Sequence, residues 1–266
     1  MLDLEFSQFS DRGPTRKRNE DYAGSVLPET PQDMRVRGCL FAVADGVGGH
    51  NLGDVASRTA VESVRDGFRR APSGEMLTTT LTRLIQQASS SVHAAAHAAG
   101  PEGSGMATTL VLCALRYDRA VIAHVGDSRC YRIQSGKVTV LTKDHTVANE
   151  QQLMGLITAQ EFKSSANKHL LSRSIGMDFF VSPDITEIAV QPGDIFVLCS
   201  DGIHNGVTDA DMLRMVSKGG DLKKMGEQIA QYAMDKDGRD NVTVMIVRVH
   251  DVERIGMYRG RPYKIR

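Results

Sequence analysis

Four apolar stretches follow one another almost without interruption: TTLVLCALR (108–116), RAVIAHV (119–125), RCYRI (129–133) and KVTVLT (137–142). Tyr117-Asp118, Gly126-Asp127-Ser128 and a turn containing Ser135-Gly136 separate them. Connections this short close hairpins and cannot cross over to a parallel neighbour, so much of the sheet is antiparallel. CLFAVA (39–44), DIFVLC (194–199) and NVTVMIVRV (241–249) add strands of the same type.

Helical periodicity lies between these runs. Val61, Val64 and Phe68 share a face within 54–70, and Leu77, Leu81, Leu84, Ala88, Val92 and Ala95 share one within 75–98. Thr208 with Asp211 resembles a capping box ahead of Met212, Leu213 and Val216, and Leu222, Met225 and Ile229 mark a last helix before the final strand. The expected class is α+β, with these stripes as core. Residues 143–185 are polar and weakly periodic, with short helical pieces at 146–154 and 158–163, and read as an irregular insertion or lid. The expected organisation is one domain over 1–250, followed by a basic, solvated extension at 251–266 that carries Arg254, Arg259, Arg261, Lys264 and Arg266.

Composition narrows the function classes. With 266 residues and 41% hydrophobic content the chain can bury a sizeable core, and a formal net charge of zero disfavours a nucleic-acid binder. No apolar run is long enough to span a membrane, and the first residues lack a secretory pattern, so the expected compartment is the cytoplasm. Cys39, Cys113, Cys130 and Cys199 form no CxxC pair and sit in or beside apolar runs, as buried thiols of a reducing compartment.

Five acids stand at strand ends: Asp21 closing RKRNED, Asp45 ending the run 39–44, Asp127 in HVGDSR, Asp201 in CSDG, and Asp240 in GRDN. A single Asp-Gly is an ordinary turn. Five such acids around one core would repel one another unless a cation neutralises them, and oxygen donors without His or Cys favour magnesium, manganese or calcium. No EF-hand loop is present; the acids are dispersed, as in a site assembled by the fold. GVGGHNLG fails the dinucleotide fingerprint at Asn51 and lacks a P-loop ending, and neither G-x-S-x-G nor H-E-x-x-H occurs. His124, alone on an apolar strand, reads as a core residue. On this reading Asp45 holds a metal, and the metal holds a phosphate.

Taken in order, RKRNED (16–21), VADGVGG (43–49), GMATT (105–109), HVGDSR (124–129), KDHT (143–146), CSDG (199–202) and GRDNVTV (238–244) resemble the motifs of the PP2C-type (PPM family) metal-dependent protein serine/threonine phosphatases of the compact bacterial kind. The resemblance implies a sandwich of two mostly antiparallel sheets flanked by pairs of helices, with a centre of two Mn2+ or Mg2+ ions at one end. It implies that Asp45 bridges the ions and the Gly46 carbonyl joins one. Asp201 and Asp240 hold one ion, and Asp21 with Glu20 supports the other, partly through water. Arg16 matches the arginine that grips the substrate phosphate, while Lys17 and Arg18 read as solvated charges. The implied reaction is direct hydrolysis of phosphoserine or phosphothreonine by a water bridging the metals, without a phosphoenzyme. Phosphorylated proteins are the implied substrates and a Ser/Thr kinase the opposing enzyme.

Two positions depart from the family pattern. Val47 stands where eukaryotic members carry a histidine that serves as candidate general acid, which leaves the proton to water or another group. His50 is near in sequence, and hydrogen-bond reach decides whether it serves. Asn205 stands where an aspartate often helps bind a third ion, so a third site at Asp127, Asp201 and Asn205 is expected to be weak. Residues 143–185 match the variable flap beside the active site, with Asp144 and His145 orienting its base. Two other readings are a catalytically silent phosphoprotein binder, against which retention of all the principal acids argues, and a two-metal hydrolase of small phosphate esters or nucleotides.

Overall fold

The computed structural model describes residues 2–47, 52–165, 167–258 and 261–264. In chain order the elements are β1 (Asp3–Asp11), β2 (Asp21–Val26), α1 (Pro31–Val36), β3 (Cys39–Val47), α2 (Gly53–Arg69), α3 (Leu77–Ala98), β4 (Ala107–Thr108), β5 (Leu110–Arg116), β6 (Arg119–Val125), β7 (Arg129–Gln134) and β8 (Lys137–Val140). There follow α4 (Val147–Leu153), α5 (Ala159–Ser164), β9 (Asp184–Ala189), β10 (Ile195–Cys199), α6 (Asp201–His204), α7 (Asp209–Val216), α8 (Leu222–Lys236), β11 (Val242–Asp251), β12 (Ile255–Tyr258) and β13 (Arg261–Lys264).

Two antiparallel sheets form the centre, in the orders β1-β11-β10-β7-β8 and β2-β3-β5-β6-β9, with β4 added on β3. Alternation along the strands explains the layers. Cys39, Phe41 and Val43 of β3 face inward with Val111 and Cys113 of β5, against Phe196 and Leu198 of β10 and Met245 and Val247 of β11. The intervening residues Leu40, Ala42, Leu110 and Leu112 face outward beneath Val61, Val64 and Phe68 of α2 and Leu81, Leu84 and Ile85 of α3. On the opposite side Val197, Val244 and Ile246 are covered by Met212 and Val216 of α7 and Met225 and Ile229 of α8. Strands buried on both faces read as continuous apolar runs, which is why CLFAVA and DIFVLC carry no polar alternation. The result is the helix–sheet–sheet–helix sandwich that the resemblance implied.

Several elements fall outside the sequence expectation for physical reasons. Strand β1 pairs with β11 at the sheet edge; Leu4 and Phe6 pack on the inner core while Phe9, on the other face, packs on the outer one, so its apolar residues are divided between two cores. The side-chain pattern of strand β2 is interrupted at Gly24, where a Cβ would lie 2.9 Å from Val61 Cγ1 and 2.8 Å from Arg65 Cδ of α2, although the strand itself runs on in register. The run 108–116 is divided at Thr109, whose N–H donates to the Asp45 carbonyl at 2.8 Å. Thr208 caps α7 by accepting from Asp211 N at 3.2 Å, but the returning carboxylate bonds the Thr208 hydroxyl at 2.7 Å, a variant of the box. In the tail, β11 runs to Asp251, and β12 pairs antiparallel with β13; Arg259 and Arg266 lie outside the described residues. Among the described residues no helix is long and apolar enough to cross a membrane.

Candidate active site

Antiparallel pairing brings the acids together. The start of β2 lies against the end of β3, so Asp21 and Asp45 are cross-strand partners. In the other sheet the end of β10 lies against the start of β11, which sets Asp201 and Asp240 just beyond Cys199 and Val242 at the same rim. Asp127 joins them from the β6–β7 turn. Asp45 is held well above the usual carboxylate range by burial, then by the charges of Asp21, Asp201, Asp127 and Asp240. Its list of repelling neighbours is the same set that the sequence singled out.

Polar residues beside the acids fix this basin. The Asp45 N–H donates to Thr109 Oγ1 at 2.9 Å, and the Thr108 hydroxyl donates to the Asp45 carbonyl at 2.8 Å. Ser200 crosses between the sheets: its hydroxyl donates to Asp21 Oδ2 at 2.7 Å and accepts from Thr243 N at 3.1 Å. Asn241, 3% exposed, accepts from Glu20 N and donates to the carbonyls of Arg12 and Arg18, so it ties down the loop that carries Arg16 and Glu20. These four positions were not singled out from sequence. Their signal was a polar residue at the apolar end of a strand, as in SD, DN and TT.

Glycine at 46 follows from close approach: a Cβ there would meet the Gly53 carbonyl oxygen and lie 2.7 Å from the Glu20 carbonyl. Glu20 Oε1 and the Gly46 carbonyl oxygen both lie within 3.0 Å of where a Gly53 side chain would begin. A carboxylate and a carbonyl thus face one spot beside Asp45. Burial raises Glu20 above its ordinary value, and the nearby Arg16 acts against that rise. Arg16 is 45% exposed at its side chain, its Nη2 donates to Asp240 Oδ2 at 2.6 Å, and its Nε donates to the Arg239 carbonyl.

The donor set fits a divalent cation. Asp21 Oδ1 and Asp201 Oδ1 are buried without a hydrogen-bond partner among the described residues. Burial, joined by Asp201 and Asp240, pushes Asp21 up to about 7. Asp201 is raised by burial and then by Asp240. Buried carboxylate oxygens left without donors are costly, and hard oxygen donors of this kind suit magnesium, manganese or calcium.

The remaining expected residues lie around this centre. Asp127 is 7% exposed, pushed up to about 8 by burial, then Asp201 and Asp144, and its carbonyl accepts from His204 Nε2 at 3.0 Å. Asn205 spends its amide on Asp201, donating to Oδ2 at 3.3 Å. Val47 is 40% exposed at the rim. His50, with Gly48 and Gly49, lies outside the described residues. Asp144 forms a two-point pair with Arg129, at 2.9 and 2.7 Å, and Gly126 N donates to His145 Nδ1, so both residues fasten the base of 143–185. His124 is 3% exposed with Nε2 at 2.8 Å from the Lys143 carbonyl. His124, His145 and Asp184 cluster, but the two rings stack 4.6 Å apart at 23°. Nearly parallel ring planes give no near point at which both nitrogens can direct lone pairs at one ion.

An oxygen-only basin at one end of a two-sheet sandwich defines, as a class, a divalent-metal centre. Comparison with known proteins specifies it. The family model for protein phosphatase 2C matches residues 20–242. A serine/threonine phosphatase of Listeria innocua is 32% identical over 95% of this chain and 96% of its own. The S. agalactiae serine/threonine phosphatase superposes with a TM-score of 0.85 at 28% identity, covering 93% of this chain and all of the other. The catalytic domain of the phosphatase PstP, crystallised with 2 manganese ions, gives 0.79 at 31% identity over 94% of this chain and all of that domain. The chain belongs to the protein phosphatase 2C family of metal-dependent phosphatases.

Proposed function

We propose that the protein hydrolyses phosphoserine and phosphothreonine in proteins by direct water attack at a centre of two Mn2+ or Mg2+ ions. The observation that carries this reading is the convergence of Asp21, Asp45, Asp201 and Asp240, with buried oxygens lacking donors, on one rim. In this reading Asp45 would be shared by the two ions. Asp201 and Asp240 would hold one; Glu20, Asp21 and the Gly46 carbonyl would serve the other, partly through water; Asp127, Asp201 and Asn205 would offer a weak third site.

When bound, the two ions supply a water acidic enough to attack near neutral pH and positive charge against the phosphoryl oxygens. Arg16 receives the phosphate: its half-exposed guanidinium is anchored to the Arg239 carbonyl, which leaves donors for the incoming oxygens. A side-chain nucleophile is not needed. The four cysteines are buried, and burial pushes Cys199 to about 12, so no thiolate is at hand.

Residues 1–250 act as one catalytic domain, 143–185 as a substrate-facing flap, and 251–266 as a basic extension. Leu153, Met154, Leu156, Leu170, Phe179 and Phe180 are each more than half exposed, which favours protein substrates over small esters. The cellular role is to oppose a Ser/Thr kinase in the cytoplasm. Acid quenching during turnover of a 32P-labelled phosphothreonine peptide tests the chemistry. All label is expected in inorganic phosphate and substrate; label attached to the protein overturns direct water attack.

A further inference from the structure

We infer that His93 and His97 form a second metal site, for a late first-row transition ion of the zinc or copper class, separate from the oxygen-lined centre. The two residues are four apart on α3 and therefore share a face. Their Nε2 atoms lie 3.1 Å apart. An ion bound about 2.0–2.1 Å from each nitrogen would subtend an N–metal–N angle of roughly 100°, within reach of tetrahedral or tetragonal coordination.

The tautomer of His93 is set for this role. Its Nδ1 donates to the Gly176 carbonyl at 3.2 Å, which leaves the Nε2 lone pair free to accept. A ring N–H held by a backbone carbonyl is the arrangement that orients ligating imidazoles. His97 is exposed, so its proton can move to Nδ1 and face water when Nε2 turns to a metal. The single proton held between the two nitrogens now occupies the place of an ion. The rings are inclined at 75° with centroids 4.6 Å apart, so their planes cross and one ion can lie in both.

The surroundings match the same class of ion. The pair opens into a cavity of about 330 Å3 lined also by Ser104, Met106 and Met177; among the described residues no carboxylate, lysine or arginine lines it. Imidazole nitrogen donors without carboxylates favour zinc or copper over magnesium and manganese. His93 is also the last rung of a polar stripe on α3. Gln86 bonds the backbone of Phe179 and Val181, and Ser89 bonds that of Gly176 and Asp178. The histidine is therefore held by the same seam that fastens residues 176–181 to the helix.

Calorimetric titration of the folded protein with Zn2+, in a large excess of Mg2+ that occupies the oxygen-lined centre, tests the site. One zinc ion per chain is expected, bound at least tenfold more weakly by H97Q and with unchanged affinity by H250Q, which alters an exposed histidine on β11. The hydrogen bonds to 176–181 come from Gln86, Ser89 and His93, so H97Q removes none of them and is expected to keep the fold; H93Q gives a second variant with the same expected loss. Cu2+ should give a paramagnetic resonance signal split by two nitrogens in the parent and by one in H97Q. Equal zinc affinity in H97Q and the parent, or no zinc bound over Mg2+, overturns the site. Because the comparison is between histidine variants, it stands even if the two-ion reading of the carboxylate centre fails.

Discussion

Asp21 on β2 and Asp45 on β3 are direct cross-strand partners, so a buried and a half-buried carboxylate face each other at one rim of the sandwich. Like charges set opposite across a ladder destabilise it, and the conflict is relieved only by a proton or a cation. D45N is therefore expected to abolish metal-dependent turnover and yet to stabilise the metal-free fold. A gain on the order of 1–2 kcal/mol, roughly 2–4 °C per kcal/mol for a chain of this size, is expected in thermal melts with EDTA. Loss of stability in metal-free D45N would contradict this account.

The same carboxylates set the pH dependence of the metal-free protein. Asp21 at about 7 and Asp127 at about 8 are raised above the unfolded value of 3.8, so between those limits the native state binds more protons than the unfolded chain. Stability then falls as pH rises. Buried His145 and His204, both lowered to about 4, act oppositely by losing stability as pH drops below 6.5. Only about one unit above 6.5 are the histidines neutral in both states, and there the carboxylates set the trend. Denaturant melts in EDTA should lose stability as pH rises above about 7.5, and Mn2+ should reverse the trend because its ligands must be deprotonated.

Arg16 and Asp240 form a 2.6 Å ion pair that a phosphate and a metal would divide between them. R16A is expected to lower kcat/KM on a phosphopeptide by the equivalent of about 1.5–3 kcal/mol, the value of a hydrogen bond to a charged group. Manganese affinity, read separately by calorimetry, should not weaken, since Asp240 loses a competing cation. Weaker metal binding with unchanged kcat/KM would reverse the two assignments.

Asn205 donates to Asp201 where a carboxylate would add charge beside Asp127. N205D is expected to increase the number of Mn2+ ions bound at a fixed, low concentration, as measured by equilibrium dialysis. Unchanged stoichiometry would remove Asn205 from the third site.

The layers and the acids were legible in the sequence for different reasons. Doubly buried strands such as β3 and β10 announce themselves as unbroken apolar runs, and the acids at their ends recur with glycine in an ordered set. Strand β1 was hidden because Leu4 and Phe9 serve different cores from one edge strand. Ser200 and Asn241 were hidden because their roles are contacts between segments far apart in sequence: Ser200 to Asp21, and Asn241 to Arg12, Arg18 and Glu20. The His93–His97 pair lay in plain view as HAAAH, but only the Gly176 carbonyl shows which nitrogen is free.

The central claim is tested most directly by phosphate release from a phosphothreonine peptide with the purified protein and its D240N variant, in Mn2+ and then in excess EDTA. The account predicts turnover by the parent that requires Mn2+, stops with EDTA and is lost in D240N. Turnover that survives EDTA, or that D240N retains in full, would contradict a metal centre built on these carboxylates.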